Sequence, residues 1–206
     1  MNEVKVKEIL INDLGFSDYS VKKLKKFHNY LLEYNKRYNL ISKKTVNSIW
    51  IRHILDSAQI IKFLHKSKDN NIVDLGSGAG FPGLIIALYD ENEVFHVKLF
   101  EKSPVKRAFL SNIKEKLNIN NIKIEKNIYE EEKIDADIIV CRAFKKLGEI
   151  LKISREIIKK PHKMIILKGK SAQSEINNLS LGSNCSYKLE KSITDDDSKI
   201  IIVNVK

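Results

Sequence analysis

The sequence predicts an α/β fold: a doubly wound, mostly parallel sheet that ends in an antiparallel hairpin and is preceded by a helical extension. Three features of the 206-residue chain predict it. From Asn71 onward, short apolar, β-branched runs alternate with longer helical ones. A glycine turn, Gly76-Ser-Gly78-Ala-Gly80, joins the first of these strands to the helix after it. Ahead of Asn71, apolar residues recur instead at three- and four-residue steps.

Residues 3–65 read as helices. Ser17 or Asp18 can cap one in which Leu24, Phe27, Leu31, Tyr34 and Tyr38 form an apolar stripe, with Lys22, Lys23, Lys25, Lys26 and Lys36 opposite. The stripe reads as core rather than as a platform for stacking bases. A further helix is expected over 45–65, through Ile49, His53, Ala58, Ile61 and Leu64. The loop at 67–71 divides a helical extension, 1–70, from a Rossmann-like domain, 71–206. In that domain strands are expected at 72–75, 97–101, 122–126, 137–141 and 163–167. Helices are expected near 82–89, 104–118, 146–159 and 171–178, with Pro82 in a first turn, where its missing N–H costs nothing. The runs 185–192 and 199–205 read as a hairpin about Asp195-Asp-Asp-Ser198.

The chain carries 37 basic and 26 acidic residues, a net charge of +11. Residues 1–70 hold 14 basic and 7 acidic side chains, so +7 of the excess lies there and +4 in the remainder. A basic surface suits a polyphosphate backbone. The Lys-, Asn- and Ile-rich composition is also what A·T-rich codons produce, so charge alone gives nucleic acid only a modest edge. Cys141 and Cys185 form no Cys-x-x-Cys pair and share no histidine cluster; no metal site is expected, and free thiols point to a reducing cytoplasm. No signal-type apolar core opens the chain and no run approaches a membrane span, so no membrane partner is expected.

The glycine turn is a ligand cradle, and three ligands compete for it. A triphosphate loop needs Gly-Lys-Ser/Thr with a glycine five residues upstream; before Gly169-Lys170-Ser171 that place holds Met164, which excludes it. Gly78-x-Gly80-x-x-Gly83 has dinucleotide spacing, a weak signal alone, and leaves a nicotinamide-dependent oxidoreductase as the rival reading. The overlapping Gly76-x-Gly78-x-Gly80 suits S-adenosylmethionine better, because that ligand presents an amine and a sulfonium rather than a pyrophosphate. Asp74, at the strand end, can meet the amine or brace the turn by accepting N–H bonds. Glu101 ends the second strand, 21 residues after Gly80, where a carboxylate meets ribose hydroxyls.

The segments Tyr38-Asn-Leu-Ile-Ser42, Arg52-His-Ile-Leu-Asp-Ser57, Val73-Asp-Leu-Gly-Ser-Gly-Ala-Gly-Phe-Pro-Gly83, Lys106-Arg-Ala-Phe-Leu110, Cys141-Arg-Ala-Phe144 and Leu167-Lys-Gly169 occur in this order. From about Leu24 to the C-terminus the chain resembles the bacterial 16S rRNA guanine-N7 methyltransferases, the glucose-inhibited division protein B family. The resemblance implies a class I methyltransferase fold, S-adenosyl-L-methionine as cofactor, and one guanine of the decoding-region loop as acceptor. The partner it implies is 16S rRNA or the 30S subunit; the oligomeric state stays open, a monomer being the default. It implies cofactor contacts from Gly76, Gly78, Phe81, Ile128, Tyr129 and Arg142, with Asp74 near the amine and Glu101 at the ribose.

The fourth strand end discriminates among acceptors. It has no Asp/Asn-Pro-Pro-aromatic motif for an exocyclic amine, and Cys141 lacks the Pro-Cys context of a cytosine-C5 nucleophile. Guanine N7 attacks through an in-plane lone pair and loses no proton, so no general base and no catalytic acid–base residue is expected. Arg142 can hold the cofactor carboxylate, an RNA phosphate or guanine O6, or else pair with Asp74 or Glu101. His53 and Asp56, three apart, read as a tie between the helical segment and the glycine loop rather than as base and partner. Lys106, Arg107 and Lys168 are candidate phosphate contacts. A non-catalytic RNA-binding module is the third reading.

Overall fold

The computed structural model describes residues 1–65, 70–89, 94–130, 133–179 and 184–206. Two helices open it, α1 (Glu3–Asn12) and α2 (Asp18–Asn35). Ser17 caps α2, its hydroxyl accepting the Ser20 N–H at 3.0 Å. Val21, Leu24, Phe27 and Leu31 form the buried stripe, whereas Tyr38 lies past the helix end and is exposed. Lys25 is drawn from the basic face to Glu3 of α1 at 2.9 Å.

The continuous helix expected over 45–65 is a composite. A 3₁₀ segment (Lys43–Ser48) leads to a π turn (Trp50–Leu55), one α turn, α3 (Asp56–Ala58), and a second 3₁₀ segment (Gln59–Phe63). Two competing contacts explain it. The Ser42 carbonyl receives both the N–H and the hydroxyl of Thr45, at 2.9 Å each, which holds a tight turn. Farther on, the Arg142 guanidinium takes the Arg52 carbonyl at 2.7 Å, which an α-helix would give to the Asp56 N–H. That N–H turns instead to Ile51 and His53, and the ladder widens into a π turn.

The rest alternates: β1 (Asn71–Leu75), α4 (Gly83–Tyr89), β2 (His96–Phe100), α5 (Pro104–Lys116), β3 (Ile122–Glu125), β4 (Ile138–Arg142), α6 (Leu147–Ile157), β5 (His162–Lys168), α7 (Ala172–Asn177), β6 (Cys185–Lys191) and β7 (Lys199–Val205). The strand order is β3-β2-β1-β4-β5-β7-β6. β1 to β5 run parallel to one another, and β7 is antiparallel to both β5 and β6. The order reverses between β1 and β4, which is where open α/β sheets form ligand crevices at the carboxyl ends of their strands. α4 begins one residue later than expected, so Pro82 precedes the helix and its carbonyl accepts the Ile86 N–H at 3.2 Å.

Strand alternation divides the core between two sheet faces. Ile72, Leu99, Ile138, Val140 and Ile165 face one cluster, which α1, α2, α4 and α5 cover. Val73, Leu75, Ile139, Cys141 and Ile166 face the other, under α6 and α7. Most of the boundary loop expected at 67–71 lies outside the described residues. The extension's Leu24, Phe27 and Leu31 nevertheless share one buried cluster with Leu84, Leu99 and Leu110.

Phe27 is fully buried, its ring centroid 5.5 Å from that of Phe81 and 6.3 Å from that of Phe109. Phe27→Ala is expected to cost about 3–5 kcal/mol, moving one cooperative urea transition to lower denaturant. Loss of the helical signal alone, with the sheet transition in place, would mark the extension as a separate folding unit.

Candidate functional site

The glycine turn is held by two carboxylates. Asp74 shares a face of β1 with Ile72 and alternates with Val73 and Leu75, so its side chain enters the face beneath α4. Its Oδ2 accepts the Gly83 N–H at 2.8 Å, and the residue has no exposed surface. A Cβ at Gly83 would lie 2.5 Å from Leu99 and 2.7 Å from Asp74 Oδ2, so only glycine permits this approach of helix to strand. Glu101 pins the turn from the other side: Oε2 accepts the Gly78 N–H and Oε1 the Ser103 N–H, both at 2.8 Å.

Burial drives the Asp74 carboxyl up to about 7, against the opposing Gly83 bond; its Oδ1 is buried with no hydrogen-bond partner. The bracing role expected of Asp74 is the one the geometry forms. The residue has no exposed surface beside the cleft, and its observed contact is with the loop backbone.

An apolar cleft of 190 Å³ opens over the ends of β1, β2 and β3. Leu75, Gly76, Phe100, Glu101, Ile128 and Phe144 are among the residues that line it. Gly76 has φ +73°, and a Cβ there would lie 2.5 Å from the Phe144 ring. Ala143 makes this possible: its left-handed backbone, φ 49°, turns Phe144 back over the glycine. Such a conformation costs a non-glycine residue roughly 1–3 kcal/mol and collects at functional sites. Nothing in the linear order of the chain shows Phe144 reaching Gly76. Tyr129 is half-exposed beside the cleft, with Lys102 Nζ 5.2 Å from its ring centre.

A second, polar cleft of 280 Å³ lies beyond β4, lined in part by Asp56, Arg142, Lys168, Gly169, Ser171 and Ser198. Arg142 is built into its wall. One guanidinium nitrogen donates to the Arg52 carbonyl at 2.7 Å and to Asp56 Oδ2 at 3.3 Å, and the other meets His53 Nδ1 at 2.7 Å. The expected partners Asp74 and Glu101 are thus replaced by Asp56, and Arg142 is not among the residues lining the apolar cleft. An arginine carries only donors, so His53 Nδ1 accepts, and Nε2 holds the proton and donates to Thr45 Oγ1 at 2.9 Å. Burial first, then the charges of Arg142 and Arg52, pull His53 down to about 3, so it is neutral.

Other candidate residues are engaged by contacts within the protein. Phe81 is buried, 5.0 Å from the His53 ring and 5.0 Å from the Arg142 guanidinium. This stack is the tie from the helical segment to the glycine loop. Lys168 gives its donors to Glu175 (2.8 and 3.0 Å) and the Lys145 carbonyl (2.6 Å), and Arg107 caps the Glu101 and Lys102 carbonyls, so both brace loops. Cys141 is buried and its thiol is pushed up by burial, which keeps it neutral. Gln59, Thr194 and Ser192, which tie the hairpin turn to Asp56, carried no sequence signal.

The sequence model of the family described as rRNA small subunit methyltransferase G matches residues 20–199. A protein of that name from Orientia tsutsugamushi is 36% identical over 89% of this chain and 89% of its own. Its Rickettsia prowazekii counterpart is 36% identical over 89% and 93%. Among solved structures, a SAM-dependent methyltransferase from Aquifex aeolicus superposes with a TM-score of 0.57, at 14% identity over 73% of this chain and 89% of its own. At that identity the likeness speaks for the fold alone.

Asp74 yields a pH prediction. Its folded pKa, about 7, lies above its unfolded value of 3.8, so its stabilising share is full below 3.8 and is lost as pH rises through about 7. The shift corresponds to on the order of 4 kcal/mol. Asp74→Asn keeps an acceptor for Gly83, so its stability relative to wild type should rise steadily from pH 4 to pH 7 in urea titrations. A difference that stays flat over that window would contradict the buried, raised carboxyl.

Proposed function

The chain belongs to the rRNA small subunit methyltransferase G family, and we propose that it transfers a methyl group from S-adenosyl-L-methionine to N7 of a guanine in 16S rRNA. The observation that carries this reading is the apolar cleft against the pinned glycine turn, with Glu101 at its rim. Phe100, Ile128 and Phe144 suit the faces of an adenine, and each Glu101 oxygen keeps a lone pair for a ribose hydroxyl. Gly76 and Gly78 bring main chain close to the methionine portion. Bound there, S-adenosylmethionine supplies an electrophilic methyl group.

The remaining work is positional. N7 needs alignment, and orientation can contribute about 7–11 kcal/mol. The acceptor base belongs in the polar cleft, next to the apolar one across the Arg142–Phe144 turn. Arg142 holds that wall, kept charged by its chemistry and fixed by His53 and Asp56. No proton is abstracted, and the groups present agree: His53 is neutral with both nitrogens engaged. The acceptor form, free 16S rRNA or the 30S particle, and a cytoplasmic site of action belong to the same proposal. No described helix is long and apolar enough to cross a membrane, and no described acid–His–Cys cluster could hold a metal.

Incubation with labelled S-adenosylmethionine and undermethylated 16S rRNA or 30S subunits should yield one N7-methylguanine in the decoding-region loop, mapped by mass spectrometry. Cofactor binding with no transfer to either substrate would favour a binding module; affinity for a dinucleotide instead would restore the oxidoreductase reading. Gly76→Ala, strained at φ +73° and in collision with Phe144, should weaken S-adenosylmethionine binding at least tenfold by calorimetry. Unchanged affinity would remove the cofactor from this cleft.

A further inference from the structure

The β6–β7 turn borders the polar cleft, contributing Ser192 and Ser198 to its lining. Hydrogen bonds already anchor its base to the helical extension: Gln59 donates to Ser192 Oγ at 3.0 Å and accepts the Ile193 N–H at 2.9 Å, and Thr194 donates to Asp56 at 2.9 Å. The tip adds two ion pairs, each to a residue adjoining the cleft lining. Asp195 pairs with Arg52, whose carbonyl accepts from Arg142. Asp197 pairs with Lys170 at 2.9 Å, between the lining residues Gly169 and Ser171. Exposed pairs of this kind contribute little to stability in water, so holding the turn is a poor account of them. Two carboxylates set on two cations at the rim of a nucleotide-sized cleft occupy what two phosphates would occupy.

We propose that Arg52 and Lys170 contact RNA phosphates flanking the acceptor nucleotide, and that Asp195 and Asp197 hold those places in the free protein. The proposal rests on the RNA-methyltransferase reading. RNA entry exchanges each carboxylate for a phosphate, and the turn stays attached through Gln59 and Thr194.

The test is RNA binding by fluorescence anisotropy for Asp195→Asn, Asp197→Asn and Asp196→Asn, the last removing the same charge from the residue between them. Asparagine keeps the Oδ1 acceptor that Asp195 offers to the Asp197 N–H at 2.9 Å. Two labelled RNAs are used, one with the decoding-region loop and one unrelated of equal length, because phosphate contacts carry no sequence information. The two outer variants should each bind both RNAs at least threefold tighter than Asp196→Asn, with S-adenosylmethionine affinity and melting temperature unchanged. Equal tightening by all three would mean bulk charge, and weaker binding with a lowered melting temperature would mean a structural brace; either overturns the proposal. Tightening without any methyl transfer to rRNA by the wild type would keep the phosphate contacts and remove the functional reading. Normal transfer with no selective tightening would do the reverse.

Discussion

The buried bond from the Gly83 N–H to Asp74 Oδ2 is the contact on which the site depends. It sets where α4 begins, and it holds Gly83 against Leu99 with no room for a side chain. With the helix start fixed, the turn before it must fold back over the end of β1. There the Gly78 N–H meets Glu101 and Gly76 comes under Phe144. A carboxyl raised to about 7, with one oxygen unpartnered, is a costly device in a core. It persists because the alternative, an unpaired buried N–H at a helix start, leaves the turn without a floor.

Arg142 does for the other cleft what Asp74 does for the turn. Its donors are divided among the Arg52 carbonyl, Asp56 and His53, and its face lies over Phe81. The helical extension, the strand end and the glycine loop therefore meet at one guanidinium. This explains the irregularity of residues 43–63, where the chain gives up a regular helix so that a main-chain carbonyl and a histidine nitrogen can face the arginine. Lysine could not serve, since one ammonium cannot present a planar fork to three partners.

The sheet was legible because its signals are local. Alternating apolar runs and a glycine turn are set by residues near one another, and the strands fall within a residue or two of expectation. Asp74, Glu101 and Ile128 drew attention in the sequence for the same reason, each lying at or just past a strand end. The failures share a cause. Tyr38 extended a helical period past the point where the Asn35 side chain ends the helix by capping the N–H groups of Leu40 and Ile41. Phe144, Lys168 and the Gln59–Thr194 ties depend on contacts between distant segments, and the 45–65 helix broke because a residue some 90 positions away took its carbonyl. Sequence period carries no trace of such a competitor.

The proposed reaction removes no proton and so places its demands on geometry, and the polar groups here agree with that. His53 would be the natural base in another enzyme, yet one nitrogen faces a cation and the other is tied to Thr45. Restoring its basicity would mean breaking the Arg142 contact, which would loosen the wall between the two clefts. The same burial that silences His53 makes it a stiff support, because a neutral imidazole between two fixed partners has no reason to change protonation or tautomer across the working pH range. Methyl transfer to an atom with a ready lone pair, the reaction proposed for this site, asks no more of it than such stiffness.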